Sequence, residues 1–325
     1  MTDRTLTRFD SLTPEAADAT AHLWAVADRA ILGHADFAWN STELLSFSTA
    51  TETTRRVFFL VHDGDRPVGM AKVSLPQQDN RHLLELEMRA DPQATVEEVL
   101  ASLWGGVEKL RCQEHRGTVI SYHPPVGEYD RWYRQNSFDL VQQEIASTLR
   151  MPAPGAQPQP DDEYDILTFT DSTPDRLLDQ MARLRERMST DIPLGGMNVE
   201  PEVWDTERIR AMEAKVAAAG WTILTAAAIN RASGEAVAYT TLETTTDGSA
   251  FAFQSDTLVR REDRGHRLGL RIKQANLDQL AREFPQVERV HTWNAEENSW
   301  MLHINDQLGF EATSRLARWQ RQFRD

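Results

Sequence analysis

Apolar residues in this chain fall in short runs broken by polar turns, then in longer stretches with helical spacing, and that order occurs twice. In the first half, VFFLVHDGDRPVGMAKVSL (57–75) reads as two strands around a turn at Asp63-Gly64-Asp65. HLLELEMRADP (82–92) follows as a third strand and TVEEVLASLWGGVEKL (95–110) as an amphipathic helix. In the second half, TILTAAAINRASGEAVAYTTLE (222–243) gives two strands around Ser233-Gly234. AFAFQSDTLV (250–259) gives a third strand and HRLGLRIKQANLDQLAREF (266–284) a helix. Each half then closes on one more strand, GTVISYHP (117–124) or VERVHTWNA (287–295). YRQNSFDLVQQEIASTLRM (133–151) and INDQLGFEATSRLARWQRQF (304–323) follow them. Each half also opens on a helix with Ser or Thr ahead of Pro and acidic residues, SLTPEAADATAHLWAVADRAIL (11–32) and STPDRLLDQMARLRERM (172–188).

The repeat lies in the order of elements, not in residue identity, and its copies stand about 170 residues apart. Between them, MPAPGAQPQPDDEYD (151–165) carries four prolines in its first ten residues and then an acidic cluster. Proline lacks a backbone donor and fixes its own φ, so this reads as an extended linker. The expectation is an α/β protein of two tandem domains, 1–150 and 164–325, joined through 151–163. Each is a mixed, mostly antiparallel sheet flanked by helices.

Composition narrows the function. A length of 325 residues suits two domains, and 40% hydrophobic with 26% charged residues is ordinary for a soluble globular protein. The formal charge of −15 repels a nucleic-acid backbone. Arg and Lys are scattered among carboxylates with no basic stripe, so nucleic-acid binding is not expected. No apolar run is long enough to cross a bilayer, and MTDRTLTRFDSL at the start has no apolar signal core. The lone Cys112 reads as a small buried apolar residue in a chain of the reducing cytoplasm.

The chemistry gathers in DTLVRREDRGHRLGLRIKQANLDQL (256–280), a strand, a cationic turn and a helix. A helix N-terminus offers unpaired N–H groups and a partial positive charge. Gly265 and Gly269 remove side chains that would hold an anion off, and Arg264 and Arg267 add charge-assisted donors. The alternative is a solvated turn whose glycines only permit tight geometry. A Walker loop is excluded because no Gly-Lys-Ser/Thr follows, and the Rossmann pattern fails in glycine spacing.

On these residues the chain resembles the GNAT N-acetyltransferase superfamily, whose pyrophosphate signature is Q/R-x-x-G-x-G/A. Arg264-Gly265-His266-Arg267-Leu268-Gly269 keeps the leading Arg and the last Gly, with Arg267 in place of the central Gly. HTWNAEENSWMLHINDQLGF (291–310) extends the resemblance through a fifth strand, a helix with Asn294 and Asn298 at its mouth, and a Leu-Gly-Phe ending. The resemblance implies that 164–325 binds acetyl-CoA and transfers its acetyl group to the amine of a small, cationic metabolite or antibiotic. It also implies that the pantetheine arm pairs with the main chain near Leu258 and Val259. The amides of Arg264, Gly265, His266, Arg267, Leu268 and Gly269 would then hold the pyrophosphate, with Arg267 helical. Asn294 and Asn298 would point carboxamides at the arm, although both also suit helix capping.

Asp256, in an otherwise apolar strand, is the expected base, with a raised pKa, or equally a structural hydrogen-bond acceptor for a neighbouring loop; Glu243, at a strand end, is the reserve, and its alternative is solvated surface. The superfamily's acidic Tyr falls at Asn305, which cannot supply a proton; either the thiolate leaves unaided or takes a proton from water, or His303 or Tyr239 substitutes. STDIPLGGMNVEPEVWDTER (189–208) would shape the acceptor pocket through Asp191, Met197 and Trp204, with Gly195-Gly196 as a mobile element; an acidic surface loop is the alternative. The first half carries Glu97 and Glu98 where the phosphate loop belongs, and Ser137 where Gly is usual, so it reads as a degenerate copy. A protein or peptide N-terminus as acceptor, and a non-catalytic acyl-CoA sensor, are the competing readings.

Overall fold

The computed structural model describes residues 4–153 and 163–323. The proline-rich part of the anticipated linker, 154–162, lies outside the described residues. The chain divides into two compact units: Met1–Glu144 with Leu194–Glu200 and Ser314–Asp325, and Ile145–Pro193 with Pro201–Thr313.

In the first unit β1 (Arg4–Phe9), β2 (Thr54–Asp63), β3 (Arg66–Pro76), β4 (Leu83–Ala90) and β5 (Thr118–His123) lie side by side in chain order. Its helices are α1 (Pro14–Leu32), α2 (Ser41–Ser48), α3 (Val96–Gln113) and α4 (Gly127–Gln135). α1 starts as its sequence demands, with Pro14 in the first turn and the Thr13 side chain accepting from the Ala16 N–H. β6 (Asp139–Arg150) leaves this unit after Glu144 and continues into the second.

The second unit holds β7 (Tyr164–Thr170), α5 (Leu178–Asp191), α6 (Thr206–Ala218), β8 (Trp221–Asn230), β9 (Ala236–Thr245) and β10 (Phe251–Val259). α7 (Leu268–Glu283), β11 (Arg289–Ala295) and α8 (Ser299–Leu308) complete it. Its strands run β6-β11-β10-β9-β8-β7. A short 3₁₀ turn, Asp175–Leu177, precedes α5, so this helix starts later than its Thr-Pro signal suggests and has no side-chain cap. β12 (Glu311–Gln322) belongs to the first unit from Ser314 onward and pairs there antiparallel with β5, from Ala317 opposite His123 to Gln322 opposite Thr118.

The units therefore do not follow the linear division at 150 and 164. Residues 314–323 complete the first sheet, whereas Leu149 packs with Leu242, Val290 and Phe310 in a core of the second unit. The Met151 N–H donates to the Glu288 carbonyl at 2.8 Å, so the start of the anticipated linker is fixed to the second unit. An alternating strand satisfies any open edge of matching pattern, so sequence order alone does not choose which.

Within each unit one parallel pair interrupts the antiparallel ladder and then separates. β4 and β5 pair only from Leu83–Thr118 to Leu86–Ser121. β10 and β11 pair only from Phe251–Arg289 to Phe253–His291. Beyond Phe253 the ladder between the two strands ends. Cys112, expected inside, is exposed, because α3 turns Leu103, Val107 and Leu110 to the core instead.

Candidate functional site

The mouth of α7 keeps its first N–H groups without a side-chain cap and has no acidic residue in its first turn. α1, α2, α6 and α8 are all capped by a side chain. Gly265 sits at φ 93°, where an L side chain is strained. Arg267, expected to be helical, instead lies at φ 56° and ψ 22° as the left-handed N-cap of α7. The resembling signature has glycine at this position, and glycine alone enters this region without strain. Nearby cations are already engaged: Asp191, at the end of α5, approaches Arg261 at 3.1 Å and Arg264 at 3.7 Å, and Arg260 bonds Asp263 at 2.8 Å. Asp191 thus stands at the turn, beside Arg261 and Arg264. His266 faces Glu163 and the Tyr164 ring, and Leu268 is buried.

The strand that leads into this mouth is β10. β10 pairs with β9 through a bulge, since the register shifts between Gln254 and Thr257. The extra residue turns Asp256 toward the side of β9 that carries Tyr239, Thr241 and Glu243. The Tyr239 hydroxyl donates to Asp256 at 3.0 Å, Thr241 Oγ1 accepts from the Asp256 N–H at 3.2 Å, and Arg185 of α5 stands 3.4 Å from the same carboxylate. Glu243 lies two residues inside the end of β9 and is half-buried. Burial, and then the Asp256 charge, push its carboxyl above the usual range against a hydrogen bond from Ser255 and the Arg185 charge. Tyr239 is buried, and burial with the Asp256 charge drives its phenol well above 10; its proton is committed to Asp256. Leu258 and Val259 lie on β10 beyond its pairing with β11, and the Val259 carbonyl accepts from Arg264 Nε at 3.3 Å. His303 is exposed and contacts Gln307, away from Asp256.

Asn305 is buried and links two groups. Its Nδ2 donates to Asn294 Oδ1 of β11 at 2.7 Å, and its Oδ1 accepts from Lys273 Nζ of α7 at 2.6 Å. Asn298 caps α8, accepting from the Met301 N–H at 3.3 Å. Lys273 is only 1% exposed, and burial pulls its ammonium from 10.5 down to about 7. Leu270, Lys273, Leu277 and Leu280 share one helical stripe, and an interruption of that stripe by lysine was the available signal.

The rest of the anticipated acceptor segment is divided. Trp204 is half-buried among α5 residues, donates to Glu202 at 2.8 Å, and lies under the guanidinium of Arg185 at 5.2 Å. Met197 falls in Leu194–Glu200 of the first unit. The Gly196 N–H there donates to the Val141 carbonyl at 3.1 Å, so the glycines anticipated as mobile are tied down. Phe253 stacks on Trp221 at 5.8 Å, meets Trp293 edge-on at 5.9 Å, and forms an aromatic wall beside Glu243. Arg185 and Lys273 went unsuspected in the sequence, because neither belongs to a local motif.

In the first unit the α3 mouth holds Glu97 and Glu98, paired with Arg131 at 3.3 Å and Arg4 at 2.9 Å. Its own strand-face charges are also paired, Lys72 with Glu87 at 2.5 Å and Arg89 with Asp28 at 2.6 Å. Ser137 retains φ 59°, so the turn geometry outlasts the glycine.

No protein-family model and no curated protein matches the chain. Solved structures do. A tandem GNAT protein from the clavulanic acid biosynthesis pathway superposes with a TM-score of 0.80 at 22% identity, covering 98% of both chains. A GCN5-related N-acetyltransferase from Sphaerobacter thermophilus gives 0.72 at 18% identity, over 98% of this chain and 96% of that one. A putative acetyltransferase from Pyrococcus horikoshii gives 0.60 at 9% identity, over 100% and 91%. The chain has the tandem GNAT fold. No helix among the described residues is long and apolar enough to cross a membrane.

Proposed function

We propose that the second unit binds acetyl-CoA and transfers the acetyl group directly to the primary amine of a small metabolite. One juxtaposition carries the reading: the uncapped mouth of α7 follows a stretch of β10 that is unpaired with β11, and the bulge of β10 brings Asp256 to the side on which β9 carries Glu243. Acetyl-CoA supplies an acyl thioester. The amides of Gly265 to Gly269 suit its pyrophosphate, and the unpaired edge of β10 through Leu258 and Val259 suits its amide-bearing arm. Asp256 accepts the proton of the attacking amine, Tyr239 holds that carboxylate in place, and Glu243 adds negative charge that attracts a cation.

Arg185 refines the acceptor class. It is wedged between the rings of Trp204 and Tyr239 and spends a single long contact on Asp256. Its remaining donors suit an anionic group on the same acceptor, so an amine that also carries a carboxylate fits better than a polycation. The tandem GNAT protein from the clavulanic acid biosynthesis pathway has the same fold, which agrees with a small-molecule acceptor.

Asn305 in place of an acid favours a second reading, an acyl-CoA sensor. Calorimetry with acetyl-CoA, followed by thiol release over a panel of amines, amino acids and peptides, separates them. Binding with turnover of amino-acid-like amines supports the enzyme, binding without turnover supports the sensor, and turnover of peptides alone defeats the small-molecule acceptor. Absence of binding defeats both.

A further inference from the structure

Trp300 is the most exposed large apolar side chain among the described residues, at 82% against 58% for the next, Val203. Single apolar residues on a surface are ordinary, so exposure alone assigns nothing. Trp300 differs in what it leaves open and where. An indole offers a wide, flat apolar face that gains most when another flat ring covers it. Its neighbours on α8 are turned inward, with Asn305 and Leu308 buried.

Topology places this indole near the mouth of α7. β10 and β11 run parallel, and α7 follows the first as α8 follows the second. Both helices therefore begin at the carboxyl end of the same strand pair. Trp300 is the second residue of α8. Residues four apart share a helix face, so Trp300 stands one turn, about 5.4 Å, ahead of Ile304 on that face. Ile304 shows what the face touches: a Cβ on Gly269, in the first turn of α7, would come within 3.0 Å of Ile304 Cδ1. Helical side chains lean toward the N-terminus of their own helix, which carries the indole toward the end of the sheet where α7 begins.

We propose that Trp300 binds the nucleotide end of coenzyme A by stacking its indole on the adenine ring. This rests on the acetyl-CoA reading above. The pyrophosphate joins two unlike halves of that cofactor. One is the amide-bearing arm, which suits the edge of β10. The other is an adenosine, whose base is a flat heteroaromatic ring with apolar faces. An exposed indole beside an anion-binding helix mouth takes such a face without needing a fixed hydrogen bond, and covering it removes apolar surface of both rings from water. A second copy of the chain is the competing occupant of this surface.

The test reads binding and not turnover. Calorimetry compares acetyl-CoA with S-acetyl phosphopantetheine, which keeps the thioester, the arm and one phosphate but lacks the nucleotide. The proteins are the full-length wild type, Trp300→Ala and Trp300→Phe. Trp300→Ala should weaken acetyl-CoA by about tenfold and the truncated thioester by less than about twofold, since one base–aromatic stack separates the two ligands. Trp300→Phe, with a smaller ring, should fall between. Fluorescence gives a direct readout. The adenosine bisphosphate that forms the nucleotide end of CoA should quench wild-type emission, and because the chain has nine tryptophans the quench is taken as the difference from Trp300→Phe. Equal acetyl-CoA affinity in wild type and Trp300→Ala overturns the assignment, and so does an equal loss for both ligands, which marks a disturbed α8. A change of oligomeric state at unchanged acetyl-CoA affinity also overturns it and gives the indole to a contact between copies. If wild type binds neither ligand, the acetyl-CoA reading falls and the stack with it.

Discussion

Replacing Lys273 by Met is expected to stabilise the protein, and to do so in a way that depends on pH. The side chain is 1% exposed, and its ammonium titrates at about 7 when folded against 10.5 in the open chain. At about 1.4 kcal/mol per pH unit, that interval amounts to roughly 5 kcal/mol of destabilisation while both states carry the proton. Lys273→Met removes this penalty but leaves Asn305 Oδ1 without its donor, which costs about 1–3 kcal/mol. The net gain near pH 6 is therefore on the order of 2–4 kcal/mol. The sign follows from proton counting. Below about 7 both states of the wild type are protonated and the penalty is complete. Between about 7 and 10.5 only the unfolded chain holds the proton, so wild-type stability climbs by about 1.4 kcal/mol per pH unit. The advantage of the variant shrinks at that rate as pH rises. Urea unfolding of both proteins at about pH 6, 7, 8 and 9 measures the difference directly. A difference that stays constant across this range, or a variant less stable than wild type at about pH 6, refutes the argument that an unpaired ammonium is buried here.

Four further outcomes follow from the site and its frame. Asp256→Asn should slow acetyl transfer by about 100-fold or more with acetyl-CoA affinity unchanged, as steady-state kinetics beside calorimetry will report. Glu243→Gln should flatten the acid limb of the rate profile, because a carboxyl raised by burial and Asp256 loses its charge as pH falls through a value above the ordinary carboxylate range. At the left-handed cap, Arg267→Val should lose about 1 kcal/mol or more in urea unfolding while Arg267→Gly holds or gains, since a β-branched residue tolerates φ 56° least. In the first unit, Gly69→Ala should cost about 1–3 kcal/mol, because its Cβ would fall 2.2 Å from Val99 Cγ1 of α3; unchanged stability would show that α3 shifts freely on β3.

Much of the fold was legible because the signals were local. The polar turns at Asp63-Gly64-Asp65 and Ser233-Gly234 separate strands that pair as hairpins, β2 with β3 and β8 with β9. β1 and β7 escaped notice because each is an edge strand of mixed character, and β1 buries none of its residues fully. α2 and α6 are short or only weakly patterned; α6 fully buries Ile209 alone. Buried polar residues of α7 misled the reading in another way. Gln274, Asn276 and Gln279 look solvent-facing, yet Asn276 Nδ2 donates at 3.0 Å to the Leu224 carbonyl and ties the helix to β8.

The sequence by itself determined the order of elements, the hairpins, and the cationic, glycine-bearing mouth of α7, since each depends on residues a few positions apart. Only the tertiary structure decided which edge β6 and β12 would close, because period-two alternation suits any open ladder. It also decided that Asp191 would stand beside Arg261 and Arg264 and that Arg185 would reach Asp256 from 71 positions away. The link from Lys273 through Asn305 to Asn294 belongs with these. Contacts of that kind arise when separate helices are pressed onto one sheet, and no local pattern of side chains encodes them.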